Sequence, residues 1–158
     1  MNIFLLDTDV EKCAQYHVDK HVVKMILELG QLLCTALNHK AGYQITPYKT
    51  THLNHPCSIW VRESLNNFMF TYNLMLALNE EYKYRYMKEI DHTTIVKLNG
   101  IHKIAHNLYT EVDSTPFRLA MDSIYRVSSD PVECYREYYR KGKVHLHKWS
   151  KRDRPNWM

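Results

Sequence analysis

Polar side chains line up along one face of the first predicted helix, which we place over residues 10–38. At about 100° per residue they form a narrow stripe beside a second stripe of apolar residues. Imidazole, ammonium and carboxylate groups are costly to desolvate unless they satisfy one another, and histidine titrates near neutrality. The polar stripe therefore predicts a site that transfers protons or binds a ligand. The alternative is a helix face that is simply exposed to solvent. Its members are His17, His21, Lys24, Glu28, Gln31 and Thr35.

A second polar group precedes the second predicted helix, which we place over residues 57–87. Backbone amides at a helix start attract anions such as phosphate, and this group adds imidazole, amide and basic side chains there. If the first two helices pack antiparallel, the loop folds back toward the polar stripe, and both groups face one cleft. The members of this second group are Lys49, His52, Asn54, His55, Cys57 and Arg62.

A bound metal is an alternative use of these histidines, although we predict none. His17 and His21 are spaced i, i+4 and share one helical face, as paired zinc ligands do. Val18 follows His17, so the common zinc motif with Glu beside the first His is absent. The further ligands that a metal needs would be His52, His55 or Cys57.

Basic charge is concentrated near the C-terminus. Between Arg136 and Arg154 there are eight Lys or Arg and two acidic residues, a net +6 in a chain of net +4. Together with its aromatic residues, this basic tail, residues 143–158, favours a nucleic-acid partner, because cations neutralise phosphates and aromatics stack on bases. Alternatively, Trp149 and Trp157 clamp the tail onto the core. The predicted nucleic-acid contacts are Arg140, Lys143, Lys148, Trp149, Lys151, Arg152 and Arg154, with Lys49 and Asn54.

The elements that position these residues are predicted to be helical. Only four glycines and five prolines interrupt long periodic segments, a pattern that indicates helices rather than hairpins. We predict an all-α protein of one domain, residues 1–158: a compact bundle of four to five helices around two long ones. Asn2–Leu6 is predicted to be a short strand or a buried extended arm. Asp9 is predicted to cap the first helix. The remaining predicted helices are one over about 92–109 and a last one that Asp130-Pro131 opens and that ends by Gly142. Residues 110–129 are predicted to be irregular or to hold a short helix around 116–122.

The cellular compartment is predicted from features that the sequence lacks. No uncharged apolar run approaches the ~18 residues that a membrane helix needs, so we predict no membrane span. The first residues lack the basic region and cleavage site of a signal peptide. The four cysteines are scattered without CxxC spacing, which predicts reduced thiols and a cytoplasmic protein.

Four segments are distinctive as motifs: NIFLLDTD at 2–9, HVDKHVVKM at 17–25, NHPCSIWVRES at 54–64 and DPVECYREYY at 130–139. With them, nearly the whole chain resembles a family of small tailed-phage proteins. Many members of that family carry the label pyrimidine-dimer DNA glycosylase. The resemblance implies a DNA-acting protein in the cytoplasm of an infected bacterial host.

Phage pyrimidine-dimer glycosylases are small, all-helical and basic. They flip a nucleotide, attack the sugar C1′ with the N-terminal amine and cleave the backbone through an imino intermediate. One of their helices carries His with Glu seven residues later, a spacing that His21 and Glu28 reproduce. Their C-terminus is similar in kind to the one here, which carries Tyr138, Tyr139 and Trp149.

The identity of the amine is where this chain departs from those enzymes. Removal of Met1 usually requires a small second residue, and here Asn2 follows. The resemblance therefore implies an amine that comes from Met1 itself, or from Lys20 or Lys24, since a buried lysine can act as a Schiff-base nucleophile.

The leading hypothesis is a DNA glycosylase or glycosylase/lyase that acts on damaged or modified pyrimidines. Glu28 would stabilise positive charge on the sugar or orient the nucleophile, and His17 or His21 would act as general acid or base. Lys24 would be the nucleophile or a phosphate clamp. The phosphate or the flipped base would be held by Asn54, His55 and Arg62.

Two other classes of function stay open at this point. One is a metal-dependent nuclease or hydrolase that uses some subset of the histidines and Cys57. The other is a non-enzymatic phage protein that binds nucleic acid or a host protein, with the polar stripe as its interface.

Overall fold

Two long helices, α2 (Asp19–Ala41) and α4 (Leu65–Tyr86), pack against each other at the centre of the computed structural model, which describes all 158 residues. The predicted all-α bundle around two long helices is confirmed. No helix has the combination of length and apolar character that crossing a bilayer requires. The other helices are α1 (Val10–Tyr16), α3 (Pro56–Glu63), α5 (Thr93–Lys97), α6 (Ile101–Leu108) and α7 (Pro131–Glu137).

The predicted continuous helix over 10–38 is wrong, because the chain leaves helical geometry between α1 and α2. His17 is extended, with φ −64° and ψ 137°. The guanidinium of Arg85 donates to the carbonyl oxygens of Gln15 and His17, at 2.8 and 2.7 Å, and to the Asp19 carboxylate at 3.2 Å. No proline or glycine forces this break. Tertiary hydrogen bonds from α4 take up the carbonyls that a continuous helix would have used.

The other two predicted helices, 57–87 and 92–109, are also divided. Ser64 is extended and caps α4 through its hydroxyl, which accepts from the N–H of Asn67 at 3.2 Å. The first two amides of α4, at Leu65 and Asn66, donate to carbonyls of residues 111 and 112. Gly100, with φ 79°, separates α5 from α6. Of the two alternatives for residues 110–129, the structure shows irregular chain without a helix at 116–122, and a 3-10 turn follows at Ser123–Tyr125.

Local capping signals were read correctly from the sequence. Asp9 accepts from the first amides of α1, and Asp130 accepts from Val132 N–H at 2.9 Å, with Pro131 in the first turn of α7. The helix continues from α7 as a π-helical turn, Tyr138–Gly142, so it ends where Gly142 predicted. Such caps depend on neighbouring residues alone, which is why the sequence suffices to find them.

The N-terminal arm, residues 2–6, is buried and extended rather than a strand. Ile3 and Leu6 are fully buried in the same apolar core as α2 and α4. Cys13 of α1 holds the arm, because its thiol donates to the Phe4 carbonyl at 3.3 Å and its sulfur accepts from Leu6 N–H at 3.4 Å. The chain therefore begins inside the protein, at the edge of its core.

The basic tail is docked on the bundle by a buried cluster of charges. Arg85 is fully buried and pairs with Glu81 at 2.9 Å and with Asp19. Asp19 in turn accepts from the backbone N–H and hydroxyl of Ser150 at 2.9 and 2.6 Å, and Arg152 pairs with Glu81 at 2.5 Å. Every charge in the cluster has a partner, as buried charges require.

We expect acidification to weaken the fold through His17. Its burial lowers its pKa to about 4 from an ordinary 6.5. Between these values the unfolded chain binds more protons than the folded one, so stability present at pH 7 is lost as the pH falls below 6.5. The loss from this residue is about 2 kcal/mol between pH 7 and pH 5.

Urea denaturation at pH 7, 6 and 5 measures this effect. His17→Gln should reduce the dependence of the unfolding free energy on pH, whatever it does to stability at pH 7. The exposed His39 provides the matched control, since His39→Gln should leave the dependence unchanged. A His17→Gln protein with the wild-type pH dependence would contradict the expectation.

Candidate active site

A cavity of about 280 Å³ opens where the N-terminal arm meets α2 and the segment after α7. It brings together one end of the chain, one face of a helix and residues more than 90 positions away. Its walls carry an amine, a carboxylate, an imidazole and two lysines. The lining residues are Met1, Asn2, Phe4, His21, Lys24, Met25, Glu28, Ala120, Tyr138 and Lys143.

The α-amine of Met1 and the carboxylate of Glu28 form an ion pair at this cavity. Their nearest atoms are 3.5 Å apart, and the side chains of Met1 and Glu28 are 3% and 13% exposed. Lys24, one turn before Glu28 on α2, approaches the other carboxylate oxygen at 3.3 Å, but its side chain is 68% exposed. Glu28 therefore sits between two amines, of which the α-amine belongs to the residue with the buried side chain.

Asn2 fixes the position of that α-amine. Its side-chain oxygen accepts from Ile3 N–H at 2.8 Å and from the Tyr135 hydroxyl at 3.0 Å. Its amide nitrogen donates to the Ala120 carbonyl at 2.8 Å. Three separate segments thus hold one buried side chain, and the residue before it has little freedom to leave Glu28.

His21 is a neutral hydrogen-bonding group in this wall. Burial, followed by the charges of His17, Lys143 and Lys24, lowers its pKa to about 3. Its Nδ1 lies 2.6 Å from the Tyr139 hydroxyl, so the two groups share one hydrogen bond. A histidine whose pKa lies this far below neutrality suits hydrogen bonding better than the predicted role of acid or base.

Tyr138 and Lys143 form the wall opposite α2. The ammonium of Lys143 lies 4.8 Å from the centroid of the Tyr138 ring and 5.8 Å from that of Phe4. The Tyr138 ring also presses on Gly142, where an added Cβ would come within 2.6 Å of it. The absence of a side chain at residue 142 therefore lets this wall close.

The structure places the other predicted site residues outside the cavity lining. His17 is fully enclosed between helices, and its Nδ1 donates to the Cys13 carbonyl at 2.7 Å, so its predicted role as acid or base has no geometric support. Gln31 is half-buried one turn beyond Glu28. Arg62 donates to the Leu53 carbonyl and so holds the loop before α3.

His55 lies near enough to the cavity for the charges there to affect its pKa. It caps α3, with Nδ1 accepting from Cys57 N–H at 3.2 Å. Burial, and then the charge of the α-amine, lowers its pKa. The predicted approach of the loop before α3 to the polar stripe is thus present as an electrostatic contact with Met1 and Glu28 rather than as a shared wall.

Much of the predicted nucleic-acid surface is used within the chain. Arg140 pairs with Glu137 and Arg152 with Glu81. The indole N–H of Trp149 donates to the Tyr16 carbonyl at 2.8 Å, and Trp157 packs on Tyr16 and Tyr139. The alternative in which the tryptophans clamp the tail is therefore the one that the structure shows. Exposed side chains remain at Lys49, Asn54, Lys148, Lys151 and Arg154.

Nowhere do three or more His, Cys, Asp or Glu side chains come together in a group that could hold a metal ion. A larger groove of about 550 Å³ lies between α1 and α4. Its lining has four carboxylates and two cations, with Lys83 paired to Glu80 and Asp91 and with Glu81 paired to Arg152, and it contains neither an imidazole nor the α-amine. The smaller cavity is therefore the better candidate for chemistry, because its amines and carboxylate face open space.

The predicted site omitted Asn2, Phe4 and the Tyr138 wall. A signal for the first two was present, since an apolar run at the very start of a chain predicts a buried arm, but nothing local says where that arm goes. Comparisons with protein-family models, with curated proteins and with solved structures find no match for this chain. The chemistry of the site therefore rests on its own residues.

We expect Asn2→Asp to loosen the N-terminal arm. The aspartate keeps the shape but loses the N–H donor, and it sets an oxygen against the Ala120 carbonyl. The cost of such an unsatisfied buried group is about 1–3 kcal/mol. Urea denaturation and amide hydrogen exchange of residues 3–6 measure it. Asn66→Asp, at an exposed asparagine on α4, is the control; an equal effect of the two would contradict the anchoring role of Asn2.

Proposed function

We propose that this protein is a DNA glycosylase/lyase whose nucleophile is the α-amine of Met1. The observation that carries the proposal is the pairing of that amine with Glu28 at the wall of a cavity. The cavity is near the lower end of the range for ligand pockets, about 300–1,000 Å³, which suits a single flipped nucleotide. Damaged or modified pyrimidines are the proposed substrates, on the strength of the family resemblance.

The α-amine is a better candidate than either lysine. Amines at chain termini lose a proton nearer neutrality than lysine side chains do, and only the free base attacks carbon. Lys20 is exposed and does not line the cavity. The ammonium of Lys24 lies mostly in solvent, where it suits a phosphate better than a sugar carbon.

The proposed reaction begins with attack by the amine nitrogen on C1′ of the sugar. The bond from C1′ to the base breaks, and the base leaves with the bonding electrons and takes up a proton. Loss of protons from nitrogen and opening of the sugar ring produce an imine that links Met1 to C1′. Removal of a proton from C2′ then expels the 3′ phosphate, and water hydrolyses the imine to free the amine.

Glu28 has two tasks in this scheme. Its carboxylate stabilises the positive charge that develops on the sugar and on the imine nitrogen, and such preorganised charge is the strongest kind of transition-state stabilisation. It also lies where a base for the C2′ proton is needed, beside the nitrogen that the sugar is attached to. His21, held neutral by its burial, donates a hydrogen bond to a sugar oxygen.

The two lysines of the cavity bind the phosphates on either side of the flipped nucleotide. Lys24 lies on α2 and Lys143 on the opposite wall, so a strand that enters between them meets a cation on each side. Neutralising phosphates in this way supplies most of the affinity for DNA and makes binding fall with salt. Several exposed basic residues of the tail add to the same attraction.

We expect borohydride to trap the protein on an abasic site. A duplex oligonucleotide in which uracil has been removed beforehand supplies the aldehyde, so no knowledge of the natural lesion is needed. Peptide mass mapping should find the adduct on the peptide that begins at Met1. A variant extended by several residues before Met1 should lose about 100-fold in trapping, because the amine is moved away from Glu28.

Lys20→Ala and Lys24→Ala are the controls, and both should still form the adduct. An adduct on a lysine would replace Met1 as the nucleophile. No adduct on abasic, uracil-containing or ultraviolet-irradiated DNA would overturn the proposed function.

We expect Glu28→Gln to lower the rate of strand cleavage at an abasic site by about 100-fold, since a general acid or base contributes about 10²–10⁴. The amide keeps the size of the side chain and removes its charge. Glu11→Gln, at an exposed acid of α1, is the control and should cleave at the wild-type rate. Single-turnover kinetics on the abasic duplex measures both, and a loss below twofold for Glu28→Gln would contradict its assigned role.

A further inference from the structure

An exposed isoleucine stands on a rigid turn beside the candidate active site. Ile124 is 70% exposed, at the middle of the 3-10 turn Ser123–Tyr125. A single exposed apolar side chain is ordinary on a protein surface. This one differs in how firmly its backbone is held and in what lies next to it.

Four hydrogen bonds hold the turn. The Asp122 carboxylate accepts from Ile124 N–H at 3.1 Å, and the Asp122 carbonyl accepts from Tyr125 N–H at 3.1 Å. Arg126 donates from its backbone to the Ser123 carbonyl and from its guanidinium to the Met121 carbonyl, both at 3.0 Å. The side chain of Ile124 is therefore presented on a fixed support rather than on a loose loop.

The same turn lies next to one wall of the cavity. The Tyr125 ring packs on the Tyr138 ring at 4.8 Å between centroids, with 32° between their planes, and Tyr138 lines the cavity. Ala120, a few residues before the turn, lines the cavity as well and holds Asn2 through its carbonyl. Ile124 thus stands on a turn that packs against a wall of the pocket that would receive a nucleotide.

Charge around the turn suits a nucleic acid. Arg126 is exposed next to Ile124, and Lys143 lies over the Tyr138 ring. The only carboxylate of the turn, that of Asp122, accepts from the N–H of Ile124 and from the Ser123 hydroxyl. An apolar tip with cations nearby complements a base stack that is flanked by phosphate backbones.

We propose that Ile124 is a wedge that enters the base stack of duplex DNA and fills the space left by the nucleotide in the cavity. This inference rests on the proposed function. Enzymes that act on a flipped nucleotide must compensate for lost stacking, and apolar side chains inserted between base steps do so. The wedge is needed for a duplex and is not needed for a single strand, whose bases are already free to leave the stack.

Ile124→Ala separates these two substrates. The variant should cleave an abasic site in a duplex roughly tenfold more slowly than the wild type, because unstacking costs a few kcal/mol per step. Its rate on the same sequence as a single strand should stay within about twofold of the wild type. Val96→Ala, at a 65% exposed side chain on α5 that does not line the cavity, should change neither rate.

A second measurement keeps the wedge distinguishable from the chemistry. A 2-aminopurine placed beside the abasic site should brighten when wild-type protein binds the duplex, and should brighten much less with Ile124→Ala. Brightening with the wild type alone, without any cleavage or borohydride adduct, would retain the wedge and overturn the proposed reaction. Equal brightening with both proteins, or an equal loss of rate on duplex and single strand, would overturn the wedge.

Discussion

The pairing of the Met1 α-amine with Glu28 is the interaction on which the candidate site depends. The nitrogen lies 3.5 Å from the carboxylate, beside a Met1 side chain that is itself buried. The N-terminal arm brings the amine to this place, and Asn2 holds it there through the Ala120 carbonyl and the Tyr135 hydroxyl. Without the packing of the arm on the core, the cavity would lose one wall together with the α-amine.

The rest of the bundle forms the place in which the N-terminal arm is buried. The break between α1 and α2 turns α1 back over the arm, where Cys13 binds its backbone. Arg85 maintains that break from the opposite helix by binding the carbonyls of Gln15 and His17. Replacing one partner in such a buried ionic cluster costs about 3–5 kcal/mol, so the shape of the site is supported by charges that lie away from it.

The same cluster explains why net charge is a poor guide to the surface of this protein. The C-terminal region is strongly basic in sequence, but Arg140 and Arg152 meet buried carboxylates, and Trp149 is bonded to the core. The cations left at the cavity are Lys24 on α2 and Lys143 beyond α7. The tail therefore presents fewer unpaired cations than its composition suggests.

The sequence by itself determined the helical class, the caps at Asp9 and Asp130, and the alignment of His21, Lys24 and Glu28 on one face of α2. These features follow from neighbours within a few turns, where spacing along the chain is also spacing in the helix. Gln31 shares that face but lies beyond the cavity, because the arm and the segment after α7 cover only part of the helix.

Only the tertiary structure decided which residues of the polar stripe line the candidate site. His17 is not part of the candidate site, because Arg85, a residue 68 positions away, ends α1 at that point. Met1, Asn2 and Tyr138 are part of it because the N-terminal arm and the segment after α7 both pack beside α2. Contacts over such distances depend on how the whole core closes, and no local pattern of residues records them.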